Sequence, residues 1–268
     1  MRDTKDPNQY TFDNNKPTAQ PTLNALGQMF DEFTVKRLQA AGVTAGARCL
    51  EVGAGAGSVA SWMADQVGAA GEVVATDIKP QHIAGHPRLT VLEHDIVNEP
   101  MPAGQFDVIH ARAVLAHLPT RREVLTKLIG SLAPGGAVVI EEMETRWGSM
   151  VLATPDPRVP GIFQRYENAM SQLLRGNGLD MTWARGVHGA MREDGLTGVE
   201  TEGWQRSFAG GTGSALLAHG ASQELRDRLV GVGMPAEDLD VMAAVTLDPR
   251  LVLRGVLLLS TIGRKAAR

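Results

Sequence analysis

Between residues 47 and 141, short and almost wholly apolar runs alternate with stretches whose apolar residues recur at helical spacing. The runs cover 47–52, 72–77, 89–93, 106–110 and 137–141, and the helical stretches include 58–67, with Val59, Trp62, Met63 and Val67, and 119–132. A strand without a polar face must be covered on both sides, so this rhythm specifies a parallel sheet between two layers of helices. The 268 residues, 43% of them hydrophobic and 21% charged, suffice for such a core, and the length fits one large domain or a core with an appendage.

Outside that region the pattern changes. Up to about Thr18 the chain is polar and reads as an arm. Residues 21–41 suggest two helical stretches, the second ended by Gly42. Past Met143 come Pro155, Pro157 and Pro160, then helical spacing at Ile162, Tyr166, Met170 and Leu174, and again at Trp183, Val187 and Met191. Residues 199–204 and 256–262 read as two late strands, with helices between them carrying Leu217, Leu225 and Leu229, then Leu239, Met242 and Val245.

Charge and cysteine usage narrow the function classes. Twenty-six basic against 30 acidic residues, a net charge of −4 and no basic run argue against nucleic acid or an anionic membrane as partner. Cys49 stands alone, which excludes a disulfide framework and any cysteine-rich metal centre. The first ten residues are polar, and the longest late apolar stretch, 256–262, is far short of the ~20 residues of a membrane helix, so a cytoplasmic protein is expected. No metal site is expected.

The sharpest local signal is C-L-E-V-G-A-G-A-G-S, residues 49–58, where a strand gives way to a helix. Gly53, Gly55 and Gly57 permit a tight turn and close approach to a ligand, which then meets backbone N–H groups at a helix start. A dinucleotide fingerprint needs glycine at 58, where this chain has Ser58. Glu51 on an apolar strand requires a cation or a row of N–H groups, which favours a cationic ligand over a pyrophosphate. Asp77 ends the second strand, where a carboxylate can accept both ribose hydroxyls; Asp95 follows the third and could accept from an adenine amine while Ile96 packs on the ring. Each acid alone reads as a turn residue. Three at consecutive strand ends are harder to dismiss.

In E-V-G-A-G-A-G, Asp77, H-D-I at 94–96, F-D-V-I-H-A-R at 106–112 and L-A-P-G-G-A-V-V-I-E-E at 132–142, the chain resembles the class I S-adenosylmethionine-dependent methyltransferases over roughly residues 45–145. Y-T-F-D-N at 10–14 adds a resemblance to an actinobacterial-type subgroup acting on small natural products. The resemblance implies an α/β, Rossmann-like seven-stranded sheet of order 3-2-1-4-5-7-6, the last strand antiparallel, with a helical lid and an N-terminal helical arm. It implies S-adenosyl-L-methionine as cofactor. Gly53, Ala54 and Gly55 would contact the methionine part, and Glu51 would anchor the loop or hold the ammonium through water. Asp77 would bind the ribose, Ile78 would pack on adenine, Asp95 would read its amine, and His110 or Ala111 would lie near the ammonium. The implied division is 1–44 arm and helices, 45–143 cofactor core, 144–197 helical insertion and substrate lid, and 198–268 completion of the sheet.

A methyl on a sulfonium is already an electrophile, so such an enzyme must chiefly align a nucleophile and exclude water. A hydroxyl or carbon acceptor also needs a base. The candidates are His117, Glu142 and Arg112, with His110, Glu141 and Glu144 nearby. His117 serves as base or merely bridges a loop; Arg112 binds a carboxylate or pairs with a local acid. Strand alternation sends Glu141 and Glu142 to opposite faces. Trp147 and Tyr166 line an acceptor pocket or the core, and His188 and His219 read as structural or exposed. The expected activity is methyl transfer to O, N or C of a small acceptor, a secondary metabolite, by a protein whose arm could cross to a second copy. The alternatives are a non-methylating cyclase or pericyclase on the same cofactor, and an NAD-dependent oxidoreductase. Asp77 lying 20 residues after Gly57 favours the latter, whereas the glycine spacing and the lack of a Tyr-x-x-x-Lys pair oppose it.

Overall fold

The computed structural model describes residues 19–144 and 150–267, with side chains from residue 25 onward. Tyr10–Asn14 and Trp147 lie outside the described residues. The first half of the chain runs α1 (Ala19–Ala41), β1 (Arg48–Val52), α2 (Ser58–Val67), β2 (Glu72–Asp77), β3 (Leu89–Glu93), β4 (Phe106–Arg112), α3 (Arg121–Gly130) and β5 (Leu132–Glu144). The second half runs β6 (Val151–Ala153), α4 (Val159–Gly176), α5 (Trp183–Glu193), β7 (Thr197–Trp204), β8 (Ser207–Ala209), α6 (Gly213–Glu224), α7 (Arg226–Gly231), α8 (Ala236–Val245), β9 (Val252–Arg254) and β10 (Leu257–Arg264).

Seven strands form one sheet in the order β3-β2-β1-β4-β5-β10-β7. Counting only its own strands, that is 3-2-1-4-5-7-6, as expected. β1 through β5 pair in parallel, and β10 runs antiparallel to β7. β1 and β2 are buried almost end to end, because helices cover both faces. On one face Leu38 and Ala41 of α1 and Val59, Met63 and Val67 of α2 pack with Cys49, Val73, Val108 and Val139.

The segment expected to form two helices is one helix, α1; Gly27 costs about 1 kcal/mol relative to alanine, too little to interrupt a helix that buries Ala25, Met29, Phe30 and Phe33. Gly42, at φ 115°, does end it. The three-residue strands β6, β8 and β9 were not foreseen; they form a second antiparallel sheet, β6-β9-β8. Segments this short have no readable period.

By its contacts the chain divides into two units: Phe30–Met143, Thr182–Trp204 and Leu258–Arg268 make the sheet unit, and Met1–Met29, Glu144–Met181 and Gln205–Leu257 make the other. The borders differ from 144–197 and 198–268. α5 belongs with the sheet because Arg122 of α3 holds its end, with Nη1 on the Ala190 carbonyl at 2.9 Å and Nη2 on Asp194 Oδ1 at 2.8 Å. In the other unit Arg165 Nε of α4 pairs with Asp238 Oδ2 of α8 at 2.6 Å, and Glu167 Oε1 accepts the Met150 N–H at 3.2 Å. Among the described residues no helix is long and apolar enough to cross a membrane.

Candidate active site

The glycine loop leaves β1 and enters α2 within the sheet unit. Gly53 has φ 67° and donates its N–H to the Thr76 carbonyl at 2.8 Å; an added Cβ would overlap Cγ2 of Val114. Gly57, at φ 80°, caps α2, and a Cβ there would stand 2.8 Å from Ile83 Cγ2. Both positions disfavour other residues on conformation and space together.

Asp77 closes the floor of this loop. Its Oδ2 accepts the Gly55 N–H at 2.9 Å and its Oδ1 the Lys79 N–H at 2.8 Å. The Ile78 N–H is also directed to this carboxyl, and the lone-pair capacity that remains can accept a further hydroxyl donor. Burial raises its pKa, opposed by the N–H groups of Lys79 and Gly55. Next to it Ile78 is 54% exposed, an apolar face of the kind a flat ring would cover. Asp95 is held by its own turn: Oδ1 accepts the Val97 N–H at 2.9 Å and Oδ2 the Asn98 Nδ2 at 2.7 Å. Its slight burial works to raise the pKa, but the donors from Asn98 and Val97 prevail and lower it. Ile96 is buried. The paired glycines, the partly satisfied Asp77 and the bare Ile78 fit an adenosyl cofactor.

Below the loop lies a charged layer. Glu51, His110, Arg112 and Glu141 share one face of adjacent strands, with Glu51 beside His110 and Arg112 beside Glu141. His110 is fully buried, with Nδ1 2.6 Å from Glu51 Oε2 and Nε2 3.4 Å from Glu141 Oε2. Burial opposes its charge, yet the two carboxylates raise its pKa from 6.5 to about 9. The cation that Glu51 requires is therefore His110, and the histidine side chain is enclosed within the sheet unit. Thr34 of α1 donates to Glu141 Oε2 at 2.5 Å; Arg112 donates to Thr34 Oγ1 at 2.9 Å and pairs with Asp31 Oδ1 at 2.8 Å. Asp31 and Thr34 escaped the sequence reading, since acids and threonines on an amphipathic helix carry no signal of their own.

On the opposite face Glu142 is buried, and its Oε1 accepts the Ala116 N–H at 3.1 Å. Burial pushes its pKa up to about 8, opposed by N–H groups of Ala116, Leu115 and Val114. His117 ends the same short turn; burial, and then Arg121, bring its pKa down to about 4. Ala111 is fully buried, and Ala113, at φ 56°, is the one non-glycine residue among those described with a left-handed backbone. In the other unit, Tyr166 is buried edge-on to Phe163, and Glu144 lines a small pocket with Gln205 and Arg254. His188 Nδ1 bonds Thr201 Oγ1 at 3.0 Å, and His219 Nδ1 bonds Thr246 Oγ1 at 2.9 Å.

The chain is similar to known proteins. A family described as a methyltransferase domain matches residues 26–184. The methyltransferase str2 of Strobilurus tenacellus is 39% identical over 101 residues, which is 36% of this chain and 36% of that protein. The ubiquinone/menaquinone biosynthesis C-methyltransferase UbiE of Nitrosospira multiformis is 29% identical over 118 residues, 41% of this chain and 48% of that protein. The matches thus span between about a third and a half of these curated relatives. A solved S-adenosylmethionine-dependent methyltransferase from Aquifex aeolicus superposes with a TM-score of 0.51 at 16% identity, covering 94% of this chain and 98% of that one, and so shares the fold.

Proposed function

We propose, from the premise that this chain belongs to the methyltransferase-domain family, the class I S-adenosylmethionine-dependent enzymes, that it methylates O, N or C of a small organic acceptor. The observation that carries the reading is the Asp77 clamp: one carboxylate fastened to the glycine loop through Gly55, with lone-pair capacity to spare and the bare Ile78 beside it. Gly53, Ala54, Gly55 and Gly57 would hold the methionine part through their backbone, Asp77 the ribose, and Ile78, Asp95 and Ile96 the adenine. Bound S-adenosylmethionine supplies an electrophilic methyl group; the chain's task is to orient the acceptor and keep water out.

The catalytic candidates favour one kind of acceptor. Arg112 is paired with Asp31, Glu142 is turned to backbone N–H groups, and His117 is held neutral by burial. A nucleophile that needs no base, such as a carboxylate or a neutral amine, suits that environment best. Residues 1–44 and 144–197 are our candidates for selecting the acceptor. The UbiE likeness supports small-molecule chemistry, and a place in natural-product biosynthesis in the cytoplasm, with a homodimer built through the arm, extends that reading.

Calorimetric titration with S-adenosylmethionine and S-adenosylhomocysteine tests the core of it. Micromolar binding of both is expected, and a folded protein that binds neither refutes it. With candidate acceptors, product mass should rise by one methyl group. An unchanged mass with turnover would mark a cyclase instead.

A further inference from the structure

We propose that Glu142 is a positioning residue for the glycine loop, acting through the backbone of residues 114–116 and the Val114 side chain on Gly53. The proposal rests on the cofactor reading above only for what the loop binds; the mechanical link is a property of the protein by itself.

The chain leaves β4 by an awkward route. Arg112 is followed by Ala113 at φ 56°, a conformation disfavoured for any residue with a Cβ, and then by the one-turn helix Leu115–His117. The opening N–H groups of such a turn have no partner within it. Here the neighbouring strand supplies one: Glu142 of β5 reaches across and accepts the Ala116 N–H at 3.1 Å, with those of Leu115 and Val114 also directed to its carboxyl. Its neighbour Glu141 takes the Ala113 N–H on its carbonyl at 2.8 Å. Two consecutive residues of β5 therefore hold the exit from β4, one by main chain and one by side chain.

What the turn presents is Val114. Its Cγ2 occupies the space where any Cβ at Gly53 would sit, so the valine seats directly on the first glycine of the loop. Gly53 in turn is fastened on its other side to the Thr76 carbonyl at 2.8 Å. A carboxyl that fixes the turn thus fixes the wall against which the left-handed Gly53 rests. This also accounts for an acidic residue buried at 2% exposure on an otherwise apolar face.

The experiment compares Glu142→Leu, which keeps the bulk and removes the acceptor, with Glu142→Gln, which keeps one carbonyl oxygen. Amide hydrogen exchange of residues 53–57 and 114–116 is followed in cofactor-free protein, and affinity for S-adenosylhomocysteine is measured by calorimetry. The leucine variant should exchange faster in both stretches and bind roughly tenfold more weakly or worse, and glutamine should restore both to within about threefold of wild type. Leucine and glutamine variants that behave alike, or a loosened 114–116 beside an unchanged 53–57, overturn the proposal. If the leucine variant does not fold, Val114→Ala decides: it leaves the Glu142 bonds in place and should loosen 53–57, and unaltered exchange there overturns the link. Failure of the wild type to bind S-adenosylhomocysteine would refute the functional reading, while the exchange data still decide this one.

Discussion

Replacing Glu51 with glutamine removes one of the two charges that hold His110 as a cation, at almost no change in shape. The wild-type imidazole, fully buried, has its pKa lowered by burial and raised more strongly by Glu51 and Glu141, from 6.5 to about 9. At ~1.4 kcal/mol per tenfold change, that shift corresponds to about 3 kcal/mol of stability. The magnitude agrees with ~4 kcal/mol for a unit charge pair near 4 Å at an effective dielectric constant of 20, part of which offsets desolvation. The sign follows from linkage: the folded state binds this proton more tightly, so the contribution is complete below about pH 6.5 and is lost as the pH rises through about 9. Urea unfolding followed by circular dichroism should show Glu51→Gln less stable than wild type by about 2–3 kcal/mol near pH 6. The gap should close by about pH 10. Glu142, whose pKa is raised to about 8, also makes the native state less stable as pH rises from its unfolded value of 4.5, but it does so in both proteins and leaves the difference intact. Parallel pH profiles for the two proteins would refute the reasoning, because they would mean that His110 is neutral in the fold.

Three further outcomes are expected. Asp77→Ala should weaken S-adenosylhomocysteine binding by roughly ten- to a hundredfold, since it removes both the ribose acceptor and the Gly55 tether; native affinity in calorimetry would contradict the assignment. Gly57→Ala should lower stability by about 1–2 kcal/mol from its left-handed backbone alone, with the Ile83 contact adding to it, and a thermal melt matching wild type would show that the loop relaxes freely. Cys49, whose thiol is pushed up to about 12 by burial and then by Asp107 and Glu51, should resist iodoacetamide in native protein at about pH 8. Stoichiometric labelling without denaturant would mean that β1 opens readily.

The sheet was legible because its parallel strands are largely apolar and several end in acids or glycines, a pattern set by local sterics and burial. The glycine loop could be found because its three glycines fall together in sequence, and Asp77 because it ends the next strand, although the bond that joins them links residues 22 apart. Glu51 was recognised as needing a cation and was matched to a cationic ligand, whereas the structure sets His110 against it. Its partner lies 59 residues away on β4, and only register brings the two side by side. Arg112 and Glu142 looked like chemistry, whereas Asp31 of α1 and the N–H groups of the 114–116 turn take them up. Those partners depend on where α1 docks and on how the chain leaves β4. The split of the late chain was hidden in the same way: α5 belongs to the sheet unit, its end held by Arg122 in a long-range ion pair that no periodicity announces.

The register of the last two strands bears on how this protein could be rebuilt. Trp204, the last residue of β7, stands opposite Leu258 at the start of β10, so the chain leaves the sheet at one rung of the antiparallel ladder and returns at the same rung. Cross-strand partners lie only ~5 Å apart at Cα, a gap that a two-residue turn spans. The whole of 205–257 is therefore a detour between two positions that an Asn-Gly turn could join directly. Excising it would convert β7 and β10 into an ordinary hairpin, leaving the sheet's own strand pairing uncut. The same rung is an insertion point at which a different module could be grafted, so the sheet can keep its pairing while the part of the chain added to it is exchanged.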